Sequence, residues 1–333
     1  MEHGEVWTLA EVMNRKLRRV SFELLSRGRK LADDLGSDLC SIVISGGISD
    51  EESDKLIKSG ADKVYLIESP VLENFTVETY SNILVDLIGR YDPEIFIAAA
   101  TTTGRTLMPH VSMRIHTGLT ADCTGLEIDP GTGNLLQTRP AIGGNILATI
   151  RTPEHRPQMA TVRPRSSRPA PPGKNRRGRI ERLEFRKELE DKRVKRIGFR
   201  GNDDQDVDIQ AADVVVAGGK GLRKKENFPM LKNLAALFDG VVGATRDAVD
   251  RGWIGYPHQV GLSGKTVMPK LYFAIGISGT IQHLAGMKTA ETIVAVNSDP
   301  EAQIFKVADF GIVGDLFEIL PILEEKLKEV GQE

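Results

Sequence analysis

An α/β fold in two domains, each built on a mainly parallel sheet flanked by helices, follows from three features of the chain. Short apolar runs alternate with amphipathic helical patterns along most of its length, which is how a parallel sheet covered on both faces reads in sequence. At 333 residues the chain exceeds one ordinary small domain, and 40% hydrophobic residues suffice for two cores. Between residues 163 and 208 the composition turns basic and proline-rich and then acidic. The boundary is placed there, giving domains 1–200 and 201–333 with GNDDQDVD from Gly201 as the hinge.

The first domain opens with a strand over Val6–Ala10 and a helical pattern over 16–35, in which Val20, Leu24, Leu25, Leu31 and Leu35 share a stripe and Gly36 closes the helix. Strand 39–44, helix 51–59, strand 63–67, helix 77–88 and strand 95–100 follow. Residues 101–105 (TTTGR) stand where such sheets bind ligands, but a polar cap on a helix over 106–116 explains them better than a nucleotide cradle. Residues 125–150 read as an antiparallel appendage with turns at Pro130-Gly131 and Gly143-Gly144. The tract 163–182 holds eight basic residues and four prolines without interleaved aromatics, so an exposed loop or partner contact is preferred to a nucleic-acid arm. A strand over 193–199 ends the domain.

The second domain repeats one motif, a strand ending in glycine beside a polar or basic residue. Strand 213–217 ends in Gly218, Gly219, Lys220 and Gly221, and helix 229–238 follows it. Strand 240–243 delivers Thr245, Arg246 and Asp247 to a helix from Ala248, and a long connection carries Gln259, Val260, Gly261, Leu262, Ser263, Gly264 and Lys265. The central run, YFAIGISGTIQHLAGMKTAETIVAVN, reads as strand Leu271–Ile275, a break at Gly276, and a turn at Ser278, Gly279 and Thr280. A helix start with Ile281, Gln282 and His283 leads to strand 292–296 and Asn297. Strand 307–312, then Asp315 and helix Leu316–Val330, complete the chain.

A strand, a glycine turn and a helix start present free N–H groups to an anionic oxygen. A plain connector would look similar, but it has no need of Ser, Thr, Gln and His packed so closely between apolar strands. Neither GxGxxG nor GxxxxGK[ST] occurs there. In a parallel sheet all these strand ends share one edge, so Lys220, Arg246, Lys265, His283, Asn297 and Asp315 converge on a ligand with phosphates, polyols and a ring. No nucleophile elbow, HExxH or CxxC is present, which favours binding over catalysis, with no metal.

Composition narrows the setting. A net charge of -2 argues against nucleic acid as partner of the whole chain, and two distant cysteines suit a reducing compartment. The N-terminus resembles no signal or transit peptide, and no apolar run reaches the roughly eighteen residues of a membrane span. A soluble, cytoplasmic protein with no direct membrane insertion is expected.

Residues 271–297, LYFAIGISGTIQHLAGMKTAETIVAVN, resemble the FAD-binding signature of the alpha subunit of electron transfer flavoprotein. GGKGL at 218–222, GATRDAVDRGW at 243–253, QVGLSGKTVMP at 259–269 and NSDPEAQIFKVADFGIVGDLFEILP at 297–321 extend the resemblance, and AAATTTGRTLMP at 98–109 carries it more loosely into the first domain. It implies a Rossmann-like FAD-binding second domain, and a heterodimer in which the first domain packs against the beta subunit. It also implies an electron carrier. Its donors would be flavin dehydrogenases such as acyl-CoA dehydrogenase, as in fatty acid beta-oxidation, or NADH through a second FAD in the beta subunit in electron-bifurcating members. A quinone oxidoreductase or another acceptor would discharge it.

By matching position, the resemblance sets Arg246 near the flavin ring as a fixed cation, Ser263 toward flavin N5 and His283 at the pyrimidine carbonyl side, favouring negative charge. Ser278, Gly279, Thr280, Ile281 and Gln282 would hold ribityl and pyrophosphate oxygens, Asn297 would support the phosphates, and Asp315 and Leu316 would lie by the adenosine. The loop Gln259, Val260, Gly261, Leu262, Ser263, Gly264, Lys265 joins the cofactor set, as do Lys220 and Thr245, which keep the charge or hydrogen bonding of their matching positions. Tract 163–182 is longer and more basic than the family segment and takes no role. The rival functions are a flavin-dependent oxidoreductase with its own substrate and a nucleotide-binding regulatory module.

Overall fold

The computed structural model describes residues 4–141, 146–173, 176–198, 209–210 and 212–330; the expected turn at Gly143-Gly144 and the hinge at 201–208 lie outside them. The chain divides into two compact units, Met1–Ile197 and Gly198–Glu333.

The first unit is a seven-stranded sheet. Its elements are β1 (Val6–Ala10), α1 (Arg19–Leu35), β2 (Leu39–Ser45), α2 (Asp50–Lys58), β3 (Lys63–Glu68), α3 (Val77–Tyr91), β4 (Ile95–Ala99), α4 (Thr102–Arg114) and β5 (Leu119–Cys123). A three-stranded antiparallel appendage follows, β6 (Gly125–Ile128), β7 (Leu135–Pro140) and β8 (Leu147–Ile150), and then β9 (Gln158–Val162) and β10 (Arg179–Glu184). The sheet order is β10-β3-β2-β1-β4-β9-β5, and every neighbouring pair is parallel. Both faces are covered, so the central strands are buried throughout and mostly apolar. Val6 and Ala10 of β1 enter one core with Leu24 and Leu31 of α1, while Trp7 and Leu9 enter the other with Leu84 of α3 and Leu107 of α4.

Several elements depart from the sequence pattern for local reasons. The first helix begins at Arg19, not at residue 16, because Asn14 and Arg15 take φ 51° and 60° and fold Lys16–Leu17 back onto Val12–Met13 as a tight hairpin. Thr101 caps α4 by accepting from the Gly104 N–H at 3.2 Å, so the helix starts four residues earlier than residue 106: of TTTGR only Thr101 is the cap, and the rest form the first turn. No strand forms over the described part of 193–199, and the last strand expected over 307–312 starts at Phe310 because 303–306 is a helical turn.

The end of the basic tract, expected as loop, becomes the edge strand β10. Its cations meet carboxylates of the same unit: Arg163 with Asp122 at 2.6 Å, Arg176 with Asp62 at 3.0 Å, and Arg182 with Glu68 and Asp50. Arg165 N–H donates to Glu23 at 2.6 Å, which ties the tract to α1. Those cations are part of the fold.

Gly89 sits exposed in α3, and a Cβ added there would have nothing within 4 Å. Gly89→Ala is therefore expected to stabilise the first unit by about 0.5–1 kcal/mol, through lost unfolded-chain entropy alone. A urea midpoint at or below wild type would contradict this.

The second unit comprises β11 (Val214–Gly218), α5 (Phe228–Ala236), β12 (Val241–Ala244), α6 (Arg246–Asp250), β13 (Leu271–Ile275), α7 (Ile281–Met287), β14 (Thr292–Asn297), β15 (Phe310–Val313) and α8 (Leu316–Val330). Its five strands run in the order β12-β11-β13-β14-β15, all parallel. This is the doubly wound order whose chain reverses direction between the first and third strands. Among the described residues no helix is long and apolar enough to cross a membrane, and no His, Cys, Asp and Glu cluster could hold a metal ion.

Candidate functional site

The reversal point lies between β11 and β13, where chains leaving the two strands diverge and open a crevice. Close backbone contact there demands glycine. Gly219 N–H donates to the Ile275 carbonyl at 3.0 Å and Gly221 N–H to that of Gly276, also at 3.0 Å. A Cβ on Gly221 would lie 2.6 Å from Gly276 Cα, and Gly276 itself has φ 61°. Beyond it, Asn297 Nδ2 donates to the Ile277 carbonyl at 2.8 Å, joining β14 to the turn.

A second wall comes from residues 259–265, which have no strand of their own and are held by backbone bonds. Val260 N–H donates to Ala244 O at 2.9 Å, Leu262 N–H to Gln282 O at 2.7 Å, and Lys265 N–H to Gln259 O at 2.7 Å. Gly286 allows the contact, since a Cβ there would stand 2.4 Å from Gly261 N. Gln259 Nε2 donates to Ser263 Oγ at 3.1 Å and Tyr256 Oη to Ser263 O at 3.1 Å, so the serine is gripped from both sides.

Together these walls enclose a cavity of about 570 Å³. Of the residues singled out in the sequence, Lys220, Thr245, Arg246, Val260, Gly261, Leu262, Ser263, Ser278, Gly279, Thr280, Gln282, His283 and Asn297 line it. Gln259, Gly264, Lys265, Ile281, Asp315 and Leu316 do not. Gln259 is buried behind Ser263, Gly264 packs on the Gln259 carbonyl, and Ile281 is 80% exposed. Asp315 accepts from Phe317 N–H at 3.0 Å at the start of α8 and pairs with Arg223 at 3.1 Å, while Leu316 belongs to the core. Gly221, Asp247, Gly276 and Ile277 join the lining; the first three read in sequence as strand-end residues, but none of the four falls in the cofactor set expected there. The two glycines carried a signal, since each follows a strand end by only a few residues.

The charges are local. Arg246 pairs with Asp250 at 3.2 Å and Asp247 with Arg251 at 2.8 Å, both one helical turn apart on an exposed face. His283 is 5% exposed, and burial pushes its imidazole down to about 4, a fall that its bond to the Val260 carbonyl only partly offsets. The ring is neutral at physiological pH, so it meets negative charge as a dipole and not as a cation.

Among the described residues that line the cavity, one buried polar side-chain atom has no counterpart. The Thr245 hydroxyl is buried without a hydrogen-bond partner, an arrangement that costs about 1–3 kcal/mol unless a ligand completes it. An orphaned hydroxyl, a crevice kept free of side chains by glycine, and a cation beyond each of the strands β11 and β12 fit a dinucleotide. FAD satisfies that description.

Comparison with known proteins agrees over the whole chain. Residues 6–188 match the electron transfer flavoprotein domain, and residues 208–288 match the electron transfer flavoprotein FAD-binding domain. The chain is 46% identical over 329 residues to electron transfer flavoprotein subunit alpha of Thermoanaerobacterium thermosaccharolyticum, covering 99% of each. It is 44% identical over 330 residues to Protein FixB of Clostridium saccharobutylicum (99% of this chain, 98% of that one). It is 39% identical over 365 residues to the acryloyl-CoA reductase electron transfer subunit beta of Anaerotignum propionicum (98% and 96%). The chain therefore belongs to the electron transfer flavoprotein alpha-subunit family, whose members bind FAD and work as heterodimers with a beta subunit.

Proposed function

We propose that the cavity between β11 and β13 holds FAD for electron transfer with no substrate transformed beside it. The observation that carries this reading is the state of His283. Both ring nitrogens are engaged within the protein, so among the described lining residues no base is free to activate Ser263, Ser278 or Thr280. Bound FAD supplies the chemistry, taking up electrons from one partner and releasing them to another.

The protein's own residues hold and orient it. Lys220 and Arg246 supply positive charge at two strand ends, Thr245 offers its unpaired hydroxyl, and Ser278, Gly279, Thr280 and Gln282 face the cavity where the chain leaves β13. Ser263 offers a hydroxyl already pointed by Gln259. Gln259, Gly264 and Lys265 act as support for that loop, and Ile281, Asp315 and Leu316 stand outside the cavity. The first unit, residues 1–200 in this reading, packs against the beta subunit, and residues 201–333 carry the flavin.

Donors are flavin dehydrogenases such as acyl-CoA dehydrogenase, the acceptor is a quinone oxidoreductase, and the setting is the cytoplasm. The similarity to a subunit named for acryloyl-CoA reductase supports an acyl-CoA-linked redox partner, which in that relative is the electron-accepting side. Electron bifurcation from NADH through a second FAD in the beta subunit is the second reading, and the test is co-expression with a beta subunit followed by flavin counting and reduction by NADH. Two FAD per heterodimer with rapid reduction supports bifurcation, whereas one FAD without reduction eliminates it.

Thr245→Val gives a test with opposite signs. Removing the hydroxyl should weaken FAD binding about tenfold while leaving the ligand-free chain unchanged or about 1 kcal/mol more stable, since a buried unpaired group disappears. Titration with FAD and urea unfolding of the flavin-free chain read the two effects separately. Equal losses in both would make the hydroxyl structural.

A further inference from the structure

The hydrogen bonds around His283 have a direction that their partners dictate. Nδ1 lies 3.1 Å from the Val260 carbonyl oxygen, which can only accept, so Nδ1 carries the ring proton. Nε2 lies 3.0 Å from the hydroxyl of Tyr272. In a neutral ring protonated at Nδ1, Nε2 has only a lone pair, and Tyr272 is the donor. Charging the ring would place a second N–H against that hydroxyl. Tyr272 is 0% exposed, and among the described residues its hydroxyl has no other partner, so its proton would be stranded in the core.

Tyr272 is on β13 and does not line the cavity, whereas His283 does. We propose that Tyr272 is a positioning residue that holds His283 as a neutral ring with its proton on Nδ1 and, through the Val260 carbonyl, sets the loop 259–265 against the cavity. The chain of contacts runs from Tyr272 through the imidazole to Val260, whose own N–H is tied to Ala244 O at 2.9 Å. Ser263 is on the same loop. With both nitrogens engaged, the ring neither gives nor takes a proton as the cavity's charge changes.

The charged side chains that share the cavity are Lys220, Arg246 and Asp247. Lys265 lies on the loop, Lys288 follows α7, and Lys306 ends the helical turn after β14. None of them contributes to the downward displacement of the ring's protonation, which comes from burial.

The proposal rests on the flavin reading only for its consequence, since the ring's tautomer is measurable by itself. The full chain, co-purified with its beta subunit and labelled with 15N at the histidine rings, is compared with Tyr272→Phe by NMR; His283→Gln assigns the signal. In the wild type, one protonated and one unprotonated nitrogen with unchanging shifts between about pH 5 and about pH 9 is expected. In Tyr272→Phe the Nε2 signal should move toward that of a free lone pair. Its titration should rise by about one pH unit or more, and the flavin midpoint potential should gain a pH-dependent step in that range.

A wild-type ring that is charged at neutral pH or protonated at Nε2 overturns the proposal, as do unchanged nitrogen shifts in Tyr272→Phe. Should the variant fail to fold, the wild-type tautomer still decides. A wild-type preparation with the Nδ1–H ring but no flavin absorbance would uphold the lock and count against the flavin site.

Discussion

Gly279→Ala is expected to lower the stability of the second unit by about 2–5 kcal/mol and to abolish FAD retention, and two separate costs add to that figure. Gly279 has φ 81°, a conformation that costs an L-residue about 1–2 kcal/mol. Its Cβ would also stand 2.3 Å from Ile304 N and 2.6 Å from Ile304 Cα, which are backbone atoms that cannot swing away, and overpacking of this kind costs about 1–3 kcal/mol. Relief requires pushing 303–306 outward, which breaks the Ile304 N–H bond to the Ser278 carbonyl at 3.1 Å. The turn at Ser278 is one wall of the cavity. Gly36→Ala isolates the first cost, because Gly36 has φ 66° but nothing within 4 Å of a Cβ, and it should cost about 1–2 kcal/mol in the first unit with FAD retained. Urea unfolding followed by Trp253 fluorescence in a Trp7→Phe background for Gly279→Ala, and by Trp7 fluorescence in a Trp253→Phe background for Gly36→Ala, with flavin counted after gel filtration, separates the two variants. FAD at parity in Gly279→Ala would mean that the crevice tolerates a side chain after all.

How much of this was legible follows from the range over which each signal acts. Period and apolarity are local, so Leu271–Ile275 and Leu316–Val330 coincide with observed elements end to end. The strand-end glycines located the cavity because close backbone approach leaves a mark at each position separately. The hairpin at Asn14 and Arg15 was hidden, since neither residue announces a positive φ as glycine would. β10 was hidden by its charge: Arg179 and Glu181 pair with each other on the strand, while Arg182 meets Glu68 and Asp50, which are brought to it from far along the chain. The same limit applied at the site. His283 was visible as a polar residue at a helix start, but its neutrality depends on Tyr272 and on a carbonyl of the preceding loop, and Tyr272 in the sequence is one more aromatic in an apolar strand.

That burial sets a pH dependence, and its sign is fixed. The folded imidazole titrates at about 4 and the unfolded one near the ordinary histidine value of about 6.5. Above the higher value neither state is protonated and the contribution is fully present. Between the two, the unfolded chain holds a proton that the folded chain refuses, so the second unit loses stability as pH falls through this window. The loss is about 3 kcal/mol once the lower value is reached, at 1.36 kcal/mol per pH unit. Glu11 and Glu23, buried carboxyls whose protonation is displaced upward mainly by desolvation, act in the opposite sense, but they belong to the first unit. Trp253 fluorescence in the Trp7→Phe background reports the second unit, so the two trends are separable by probe. His283→Gln, whose amide does not titrate, should unfold more readily at neutral pH yet show a much flatter midpoint between about pH 6.5 and about pH 4.5 than the wild type. If both proteins lose stability with the same slope, the acid sensitivity of the second unit comes from its carboxylates and His283 is not its source.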